Sequence, residues 1–261
     1  MIYFVATPIG NLEDISQRAL RILKESDVIF CEDTRHSSVL LSHYGITVPL
    51  KSYHKFNEQS RCDYILSLSR EGKTVSVISD AGMPCISDPG TVLVNACKAA
   101  GEKYSVVTGA CAAVTAFAMS GFLPPFTFVG FLPSKTADQD KLIDGLGNAT
   151  LIFYSAPHDL NDDLKYLYAA LGDRKVAVIK ELTKIHEKAE FFDLSTARIE
   201  DAKGEYVIVV QKADAQNALN TLSPEQHVEF YIDKGMSKMD AIKQTAKDRG
   251  VSKNEIYKLL I

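Results

Sequence analysis

The sequence predicts an α/β protein of two domains with a helical tail, in which the N-terminal domain has a mainly parallel sheet and the C-terminal domain a mixed sheet. Three observations lead to this fold class. The chain has 261 residues, which is long for one domain and suits two. In its first half, short β-branched runs without polar alternation separate helical patterns, as is typical of parallel strands covered by helices on both faces. From residue 222 onward, helix-start signals dominate instead.

The first half divides into alternating strands and helices. The predicted strands are Ile2–Ala6, Val28–Cys31, Thr74–Ile78 and Tyr104–Val107. The predicted helices are Ile15–Lys24, Ser37–His43, Asn57–Arg70, Thr91–Ala100 and Ala110–Met119. Because ligands of open α/β sheets bind beyond the carboxyl ends of the strands, we expect the functional residues in the loops that follow these strands.

A break in this pattern predicts the start of a second domain. Pro124–Pro125 precedes the apolar run Phe126–Phe131 and then a polar stretch, which places a boundary within residues 120–125. The second domain is predicted to contain the strands Thr150–Tyr154, Lys175–Lys180, Ala189–Leu194 and Tyr206–Val210 and the helix Leu160–Leu171. Three units are therefore predicted, over residues 1–120, residues 121–215 and, for the tail, residues 222–261.

The tail carries two helix-start signatures. Ser223 and Gln226 match a capping box around a proline at the first helical position, and Ser252–Glu255 match a second capping box. A helix over Lys238–Lys247 lies between them and gives residues 237–260 a helix-turn-helix shape. A small appendage packed on the body and a tail that contacts RNA both fit this pattern.

The composition is that of a globular protein, with 46% hydrophobic and 24% charged residues. No apolar segment is long enough to cross a bilayer and the N-terminus lacks the basic region of a signal peptide, so we expect a cytoplasmic protein without a membrane partner. The net charge of -4 gives no global sign of nucleic-acid binding, and attraction to RNA would need a local basic face. The five cysteines include no CxxC pair, which favours buried thiols over a zinc site or a disulfide framework.

Several loops at predicted strand ends differ in the kinds of ligand site with which their sequences are compatible. The loop Ala6–Asn11 matches neither GxGxxG nor a Walker loop, so a dinucleotide site and a P-loop site lose their main support. The loop Thr108–Ala113 is small enough for a flat adenosine to approach the start of the next helix. His54 and Glu58 follow another strand-like stretch, where they either line the same cleft or belong to a plain loop.

An acidic segment follows the second predicted strand, with Glu32, Asp33, Arg35 and His36 inside Cys31–Ser37. Neighbouring acids, bases and hydrogen-bond donors are costly to bury unless they pair or react, which predicts catalysis or substrate binding here. A helix N-cap would explain Asp33 by itself. It gives no reason for Arg35 and His36 beside it.

A longer loop, residues 77–90, contains two acidic turns that each end in glycine. Asp80 stands at the end of the preceding strand, and Gly82 and Gly90 permit positive φ or close backbone approach. A ligand on this loop would meet backbone amides, carbonyls and a carboxylate, which suits a nucleoside with an amino-acid arm. A tight turn followed by a helix cap would explain the second turn, but not both turns.

Five segments, in this order and at these spacings, closely resemble the motifs of one family: VATPIGNLEDIS, CEDTRHS, VISDAGMPCISDPG, FYSAPH and KELTK. The family is the bacterial small-subunit ribosomal RNA 2'-O-methyltransferases of the tetrapyrrole methylase superfamily, which modify a decoding-centre cytidine. The resemblance covers essentially the whole chain. It implies a tetrapyrrole-methylase-like fold, a homodimer, and S-adenosylmethionine-dependent 2'-O-methylation of a cytidine ribose in 16S ribosomal RNA or the assembled small subunit, with the cofactor in the interdomain cleft.

The resemblance also implies roles for individual residues. Those expected to surround S-adenosylmethionine are Thr7, Pro8, Asp80, Ala81, Gly82, Ile86, Ser87, Asp88, Ala110, Cys111, Ala112, Tyr154 and Leu182. Those expected to face the RNA and to serve catalysis are Glu32, Asp33, Arg35 and His36. A ribose hydroxyl is a weak acid, so Glu32, Asp33 or His36 is expected to act as general base, without a metal. Arg35, with Lys51 or Lys55 as further candidates, is expected to bind a phosphate near the target.

The chain departs from the family pattern at Met83, where the family usually has threonine, in the loop Thr108–Cys111, and at Ser155–Asp159, where it usually has Glu-Ser-Pro-His-Arg. Exchanges among small loop residues should leave cofactor binding intact. The loss of an acid and the aspartate at position 159 weaken the substrate contacts expected of the second domain. Two other functions therefore stay open: methylation of a tetrapyrrole precursor, and a non-catalytic role in RNA binding or ribosome assembly.

Overall fold

A computed structural model describes residues 1–213 and 222–260. The predicted end of the second domain at residue 215 and the last residue of the predicted tail, Ile261, lie outside the described residues. The exact extents of the three predicted units stay predictions.

The first half forms a five-stranded sheet. Its strands are β1 (Ile2–Val5), β2 (Val28–Cys31), β3 (Leu50–Ser52), β4 (Val75–Ile78) and β5 (Tyr104–Val107). They lie in the order β3-β2-β4-β1-β5 with every neighbouring pair parallel, which confirms the predicted parallel sheet. The carboxyl ends of β2, β4 and β1 consequently lie side by side, and so do the loops that follow them.

Helices connect these strands. They are α1 (Gln17–Glu25), α2 (Thr34–His43), α3 (Glu58–Arg70), α4 (Thr91–Ala100) and α5 (Ala112–Ser120), with a 3-10 turn at Leu12–Asp14. Helix α2 begins at Thr34 rather than at the predicted Ser37, because the Asp33 side chain accepts a hydrogen bond from the Arg35 backbone N–H and caps the helix. Arg35 and His36 therefore lie in the first turn of α2.

The first sheet packs a separate core on each face. In β1, Phe4 shares a buried cluster with Ile65 of α3 and Leu93 of α4, whereas the next residue, Val5, packs with Leu23 and other residues of the opposite face. Successive side chains of a strand point to opposite faces, so apolar residues in sequence fill both cores. This double burial explains why the strands show no polar alternation.

The second half forms another five-stranded sheet. Its strands are β6 (Phe126–Phe131), β7 (Thr150–Ser155), β8 (Lys175–Lys180), β9 (Lys188–Asp193) and β10 (Tyr206–Val210), and its helices are α6 (Thr136–Asp144) and α7 (Leu160–Leu171). The order is β6-β7-β10-β8-β9, with β6 parallel to β7 and the other pairs antiparallel. The predicted mixed sheet is thus confirmed, and α6 is a helix that the sequence did not predict.

Helix α5 links the two sheets. Its residues Ala113 and Ala116 share a buried cluster with Ile152, Ile179 and Val207 of the second sheet. In chain order α5 precedes the predicted domain boundary, yet it packs on the sheet that follows it. The loop at the start of α5 is therefore held close to the second sheet.

The tail contains α8 (Pro224–Asp233), α9 (Lys238–Asp248) and α10 (Lys253–Leu259). The capping box of Ser223 and Gln226 is present as predicted. The three helices enclose a small apolar core of their own, which consists of Val228, Ala241, Ile242, Ala246 and Ile256. Among the helices of the described ranges, none is long and apolar enough to span a membrane.

Candidate active site

A cavity of about 360 Å³ lies where the loops of the first sheet meet the second sheet. This volume lies within the range of small-molecule sites. Of the residues expected around a cofactor, the cavity lining includes Ala81, Gly82, Ile86, Ser87, Asp88, Cys111, Ala112, Tyr154 and Leu182. The other four, Thr7, Pro8, Asp80 and Ala110, are not part of the lining.

Thr7 is hydrogen-bonded to the segment that forms the cavity floor, residues 79–88. The Thr7 backbone N–H donates to the Gly82 carbonyl at 2.9 Å, and the Gly82 N–H donates to the Thr7 carbonyl at 3.1 Å. The buried Thr7 hydroxyl also donates to the Ser79 carbonyl at 3.2 Å, and the Ser79 hydroxyl donates to the Gly82 carbonyl at 3.0 Å. Thr7 thus supports the cavity through its backbone groups and its hydroxyl instead of lining it.

Glycine is required at two places in this loop. Gly82 has φ of 81°, and a Cβ there would come within 3.0 Å of Ile9 Cγ2 and 3.3 Å of the Ala110 carbonyl oxygen. Gly90 has φ of 142°, and a Cβ would lie 2.4 Å from Cys85 Sγ. Cys85 itself adopts φ of 68°, which is uncommon for a residue with a side chain. Of the two reasons for glycine that the sequence left open, positive φ or close backbone approach, positive φ is present at both positions.

Tyr154 connects the second sheet to the start of α5. Its hydroxyl accepts a hydrogen bond from the Ala113 backbone N–H at 3.2 Å. Burial raises the pKa of Tyr154 to about 12, so the phenol stays protonated at neutral pH. The ring lies 5.6 Å from that of Phe131, another residue of the cavity lining.

Two carboxyl groups near the cavity hold their protons more tightly than usual. Burial, followed by the charges of Glu32 and Asp80, raises the pKa of the cavity-lining Asp88 to about 6. The pKa of Glu32 is also raised, first by burial and then by Asp80, while His54 and Lys55 partly offset this effect. The carboxyl groups of Glu32, Asp80 and Asp88 therefore lie close enough to interact electrostatically.

The acidic segment, residues 32–36, borders the cavity without lining it. The Asp33 backbone N–H donates to Asp80 Oδ1 at 3.2 Å and so ties the segment to the cavity floor. The Asp33 carboxylate accepts hydrogen bonds from Arg35 Nε at 3.1 Å and Nη2 at 2.8 Å. These bonds lower the pKa of Asp33 to about 2. Arg35 is 90% exposed in its side chain and His36 is also exposed.

The loop after β8 lines the cavity on the side of the second sheet through Leu182. The Asn11 N–H donates to the Thr183 hydroxyl at 3.0 Å, and a Cβ at Gly10 would lie 2.4 Å from Lys184 Cγ and 2.9 Å from the Leu182 carbonyl oxygen. The Lys184 ammonium bridges the carboxylates of Glu181 at 2.9 Å and Glu205 at 2.8 Å. Leu182, which lines the cavity, is thus fixed against the first loop of the chain.

Sequence reasoning missed about half of the lining. The missed residues are Ile9, Met83, Phe131, Ser155, Ala156, Pro157, Ile179, Glu205, Tyr206 and Val207. Ile9, Met83 and Ser155–Pro157 lie inside motifs that the sequence had singled out, so assigning every position of those motifs to the cavity would have found them. Glu205–Val207 carry no local signal, because they reach the cavity only through the pairing of β10 with β7.

Comparison with known proteins places the chain in a family. The profile of the tetrapyrrole (corrin/porphyrin) methylases matches residues 1–197. The chain therefore belongs to this family of methylases, which the resemblance had implied.

Relatives within the family are similar over nearly their full length. Ribosomal RNA small subunit methyltransferase I of Halalkalibacterium halodurans is 43% identical, with 99% of this chain and 93% of the relative covered. The proteins of the same name from Bacillus subtilis and Escherichia coli O157:H7 are each 40% identical over 98% of this chain, covering 92% and 93% of their own lengths.

Solved structures show the same fold at low identity. The methyltransferase CobJ matches with a TM-score of 0.65 at 20% identity, and uroporphyrin-III-C-methyltransferase from Thermus thermophilus with a TM-score of 0.59 at 22% identity. In both cases 81% of this chain and 94% of the other chain are covered. The predicted tetrapyrrole-methylase-like fold is thereby confirmed.

Proposed function

We propose that the chain transfers a methyl group from S-adenosylmethionine to the 2'-hydroxyl of a cytidine ribose in small-subunit (16S) ribosomal RNA. The observation that carries the proposal is the hydrogen bond of 3.2 Å between the Asp33 N–H and Asp80 Oδ1, which joins the acidic segment to the cavity floor. A cofactor cavity and a polar segment suited to a hydroxyl substrate are thereby adjacent. Relatives named as ribosomal RNA small subunit methyltransferases support the class of substrate.

The cavity suits S-adenosylmethionine in shape and charge. Cys111, Ala112 and Leu182 offer small and apolar surface for a flat adenosine, and Gly82 lets a ligand approach the backbone closely. The Asp88 carboxylate favours a cationic ligand over a neutral one. S-adenosylmethionine would supply an electrophilic methyl group, while the residues of the cavity bind it, orient it and exclude water.

Among the three candidate bases, Glu32 fits the role best. Its raised pKa brings it closer to neutrality, where a general base is most effective. The Asp33 carboxylate is occupied by Arg35 and by the helix cap, and its pKa of about 2 makes it a weak base. In this assignment Glu32 receives the proton of the ribose hydroxyl, and Asp33 positions the start of α2.

The exposed Arg35 guanidinium is placed to contact a phosphate of the RNA. It is held in position by its two hydrogen bonds to Asp33, which leave donor groups free to face solvent. Phosphate contacts of this kind orient an RNA without reading its sequence. His36, in the same exposed turn of α2, is proposed to contact the RNA beside it.

We further propose that the protein works as a homodimer in the cytoplasm. Large apolar side chains are exposed on α5 and around the start of β6, namely Val114, Met119, Leu123 and Phe126. Exposed apolar surface is typical of protein interfaces, and β6 is an edge strand. A second copy of this chain is the partner that the family resemblance implies.

Mass spectrometry of ribosomal RNA tests the proposal. RNA from cells with and without the gene is digested, and each fragment of the small-subunit RNA is weighed. We expect one fragment to lose the mass of a methyl group in the deletion strain, with the methyl on a cytidine ribose. Identical fragment masses in both strains would contradict the proposal. Methyl groups found in a corrin instead would assign the chain to the tetrapyrrole substrates.

A further inference from the structure

A short loop between β3 and α3, residues 53–58, is anchored beside the acidic segment. The Tyr53 backbone N–H donates to the Cys31 carbonyl at 2.8 Å, and Cys31 immediately precedes Glu32. The Tyr53 side chain is almost completely buried. The first residue of this 53–58 loop is therefore fixed next to the proposed base.

The other end of the 53–58 loop is anchored to the loop that forms the cavity floor. Glu58 Oε1 accepts a hydrogen bond from the Gly90 backbone N–H at 2.8 Å and another from the Tyr53 hydroxyl at 2.9 Å. One carboxylate thus fastens both ends of the loop, and it ties them to the residue that ends the turn after Asp88. The 53–58 loop consequently contacts both the strand that leads into the acidic segment and the loop that forms the cavity floor.

The tip of the loop is a closed turn that carries an exposed aromatic ring. The Asn57 N–H donates to the His54 carbonyl and the His54 N–H donates to Asn57 Oδ1, both at 2.8 Å. Phe56, inside this turn, is 85% exposed. The Lys55 ammonium lies 5.0 Å from the centre of the Phe56 ring, and the His54 ring lies 6.1 Å from it.

We propose that Phe56 is a stacking platform for an unpaired nucleobase of the RNA next to the target nucleotide, with Lys55 on a neighbouring phosphate. The inference rests on the proposed function and adds a residue that binds the RNA substrate. Proteins recognise single-stranded RNA by stacking splayed bases on aromatic rings, and basic side chains beside the ring bind the phosphates. The fixed ends of the loop keep the ring in place before RNA arrives, which limits the entropy lost on binding.

The test compares four variants on isolated small ribosomal subunits: Phe56→Ala, Phe56→Leu, Phe56→Tyr and the control Phe191→Ala. Phe191 is an exposed phenylalanine on the edge strand β9, outside the proposed site. The Michaelis constant for the subunit is measured at saturating S-adenosylmethionine. Calorimetry gives the cofactor affinity, and gel filtration gives the oligomeric state.

Loss of the ring should raise the Michaelis constant for the subunit about 5- to 150-fold in Phe56→Ala, which is the effect of losing one base–aromatic stack. Phe56→Leu keeps apolar bulk but no ring, and it should be equally impaired. Phe56→Tyr should restore near-normal values, and the control should behave as the wild type. Cofactor affinity and oligomeric state should stay unchanged in all four.

Several results would overturn the inference while leaving the proposed function intact. An active wild type whose Phe56→Ala variant keeps its Michaelis constant rules out stacking, as does normal behaviour of Phe56→Leu. A shift of oligomeric state in Phe56→Ala would assign the ring to a protein interface instead. A wild type that methylates no RNA at all would remove the proposed function and this inference with it.

Discussion

The cavity floor and the rim, which comprises the acidic segment and the 53–58 loop, are held by different forces. The floor is fixed by backbone hydrogen bonds between Thr7 and Gly82 and by glycines in positions that a Cβ would block. The rim is fixed by side-chain carboxylates. The Asp33 carboxylate accepts a hydrogen bond from Arg35, and the Glu58 carboxylate accepts one from the Gly90 N–H. Steric exclusion of a Cβ therefore limits which residues the floor can contain, whereas hydrogen bonds to carboxylates hold the rim in position. Substitutions in the floor should change cofactor affinity, and substitutions in the rim should change turnover or the Michaelis constant for the RNA substrate.

The largest effect is expected at the proposed base. Glu32→Gln keeps the shape of the side chain but removes the proton acceptor, so single-turnover methyl transfer should slow by a factor of about 100 to 10,000. Cofactor affinity, measured by calorimetry, should stay near the wild-type value. Asp33→Asn is the matched comparison and should lose less activity, since it retains a capping oxygen. A greater loss in Asp33→Asn than in Glu32→Gln would transfer the role of base to Asp33.

A smaller effect is expected where the two halves touch. In Gly10→Ala the new Cβ meets Lys184 and the Leu182 carbonyl, and overpacking of this kind costs about 1–3 kcal/mol. Displacement of Leu182 should weaken cofactor binding roughly tenfold, since a strain of about 1.4 kcal/mol corresponds to that factor. Gly145→Ala is the control, because its Cβ would meet only ordinary contacts of 3.6 Å or more. Wild-type affinity in Gly10→Ala would show that the contact does not shape the cavity.

Cofactor binding should also depend on pH through Asp88. This carboxyl is ionised above its pKa of about 6 and neutral below it, and a cationic ligand prefers the ionised form. Lowering the pH from about 7.5 to about 5 should therefore weaken binding roughly fivefold, the effect of about 1 kcal/mol of charge attraction. Calorimetry across this range measures it, and Asp88→Asn should flatten the profile. If the Asp88→Asn variant kept the full pH dependence of cofactor binding, another titrating group would be its cause.

The smallest effect concerns Tyr154. Tyr154→Phe removes the acceptor for the Ala113 N–H, which should lower the free energy of unfolding by about 1 kcal/mol. Chemical denaturation measures this change, with Tyr168→Phe as a comparison because that side chain is considerably exposed. Equal stability of the two variants would mean that water replaces the lost hydroxyl without cost.

The floor was also easier to predict from sequence than the walls. Its residues belong to one contiguous motif, residues 77–90, in which Gly82 and Gly90 follow acidic residues and so indicate the two turns. The strand limits Val28–Cys31 and Tyr104–Val107 were predicted correctly, because β-branched residues there form short runs between turn signals. The wall residues Glu205–Val207 depend on β10 inserting between β7 and β8, and this pairing between distant segments leaves no local pattern.

Two further features were not predicted, because the local sequence does not indicate them. Helix α6, Thr136–Asp144, has no buried residue and only Leu142 and Ile143 as large apolar side chains, so it shows no amphipathic pattern. The positive φ of Cys85 is imposed by the surrounding loop, against the preference of any residue with a Cβ. Both are set by tertiary structure instead of by the local sequence.

The most direct measurement is methyl transfer by the purified protein. S-adenosylmethionine with a labelled methyl group is mixed with small ribosomal subunits that lack the modification, and the RNA is then digested to nucleosides. We expect label in a single nucleoside, 2'-O-methylcytidine, at up to one methyl per subunit. Label on a base, or unlabelled RNA beside a labelled corrin precursor, would contradict it.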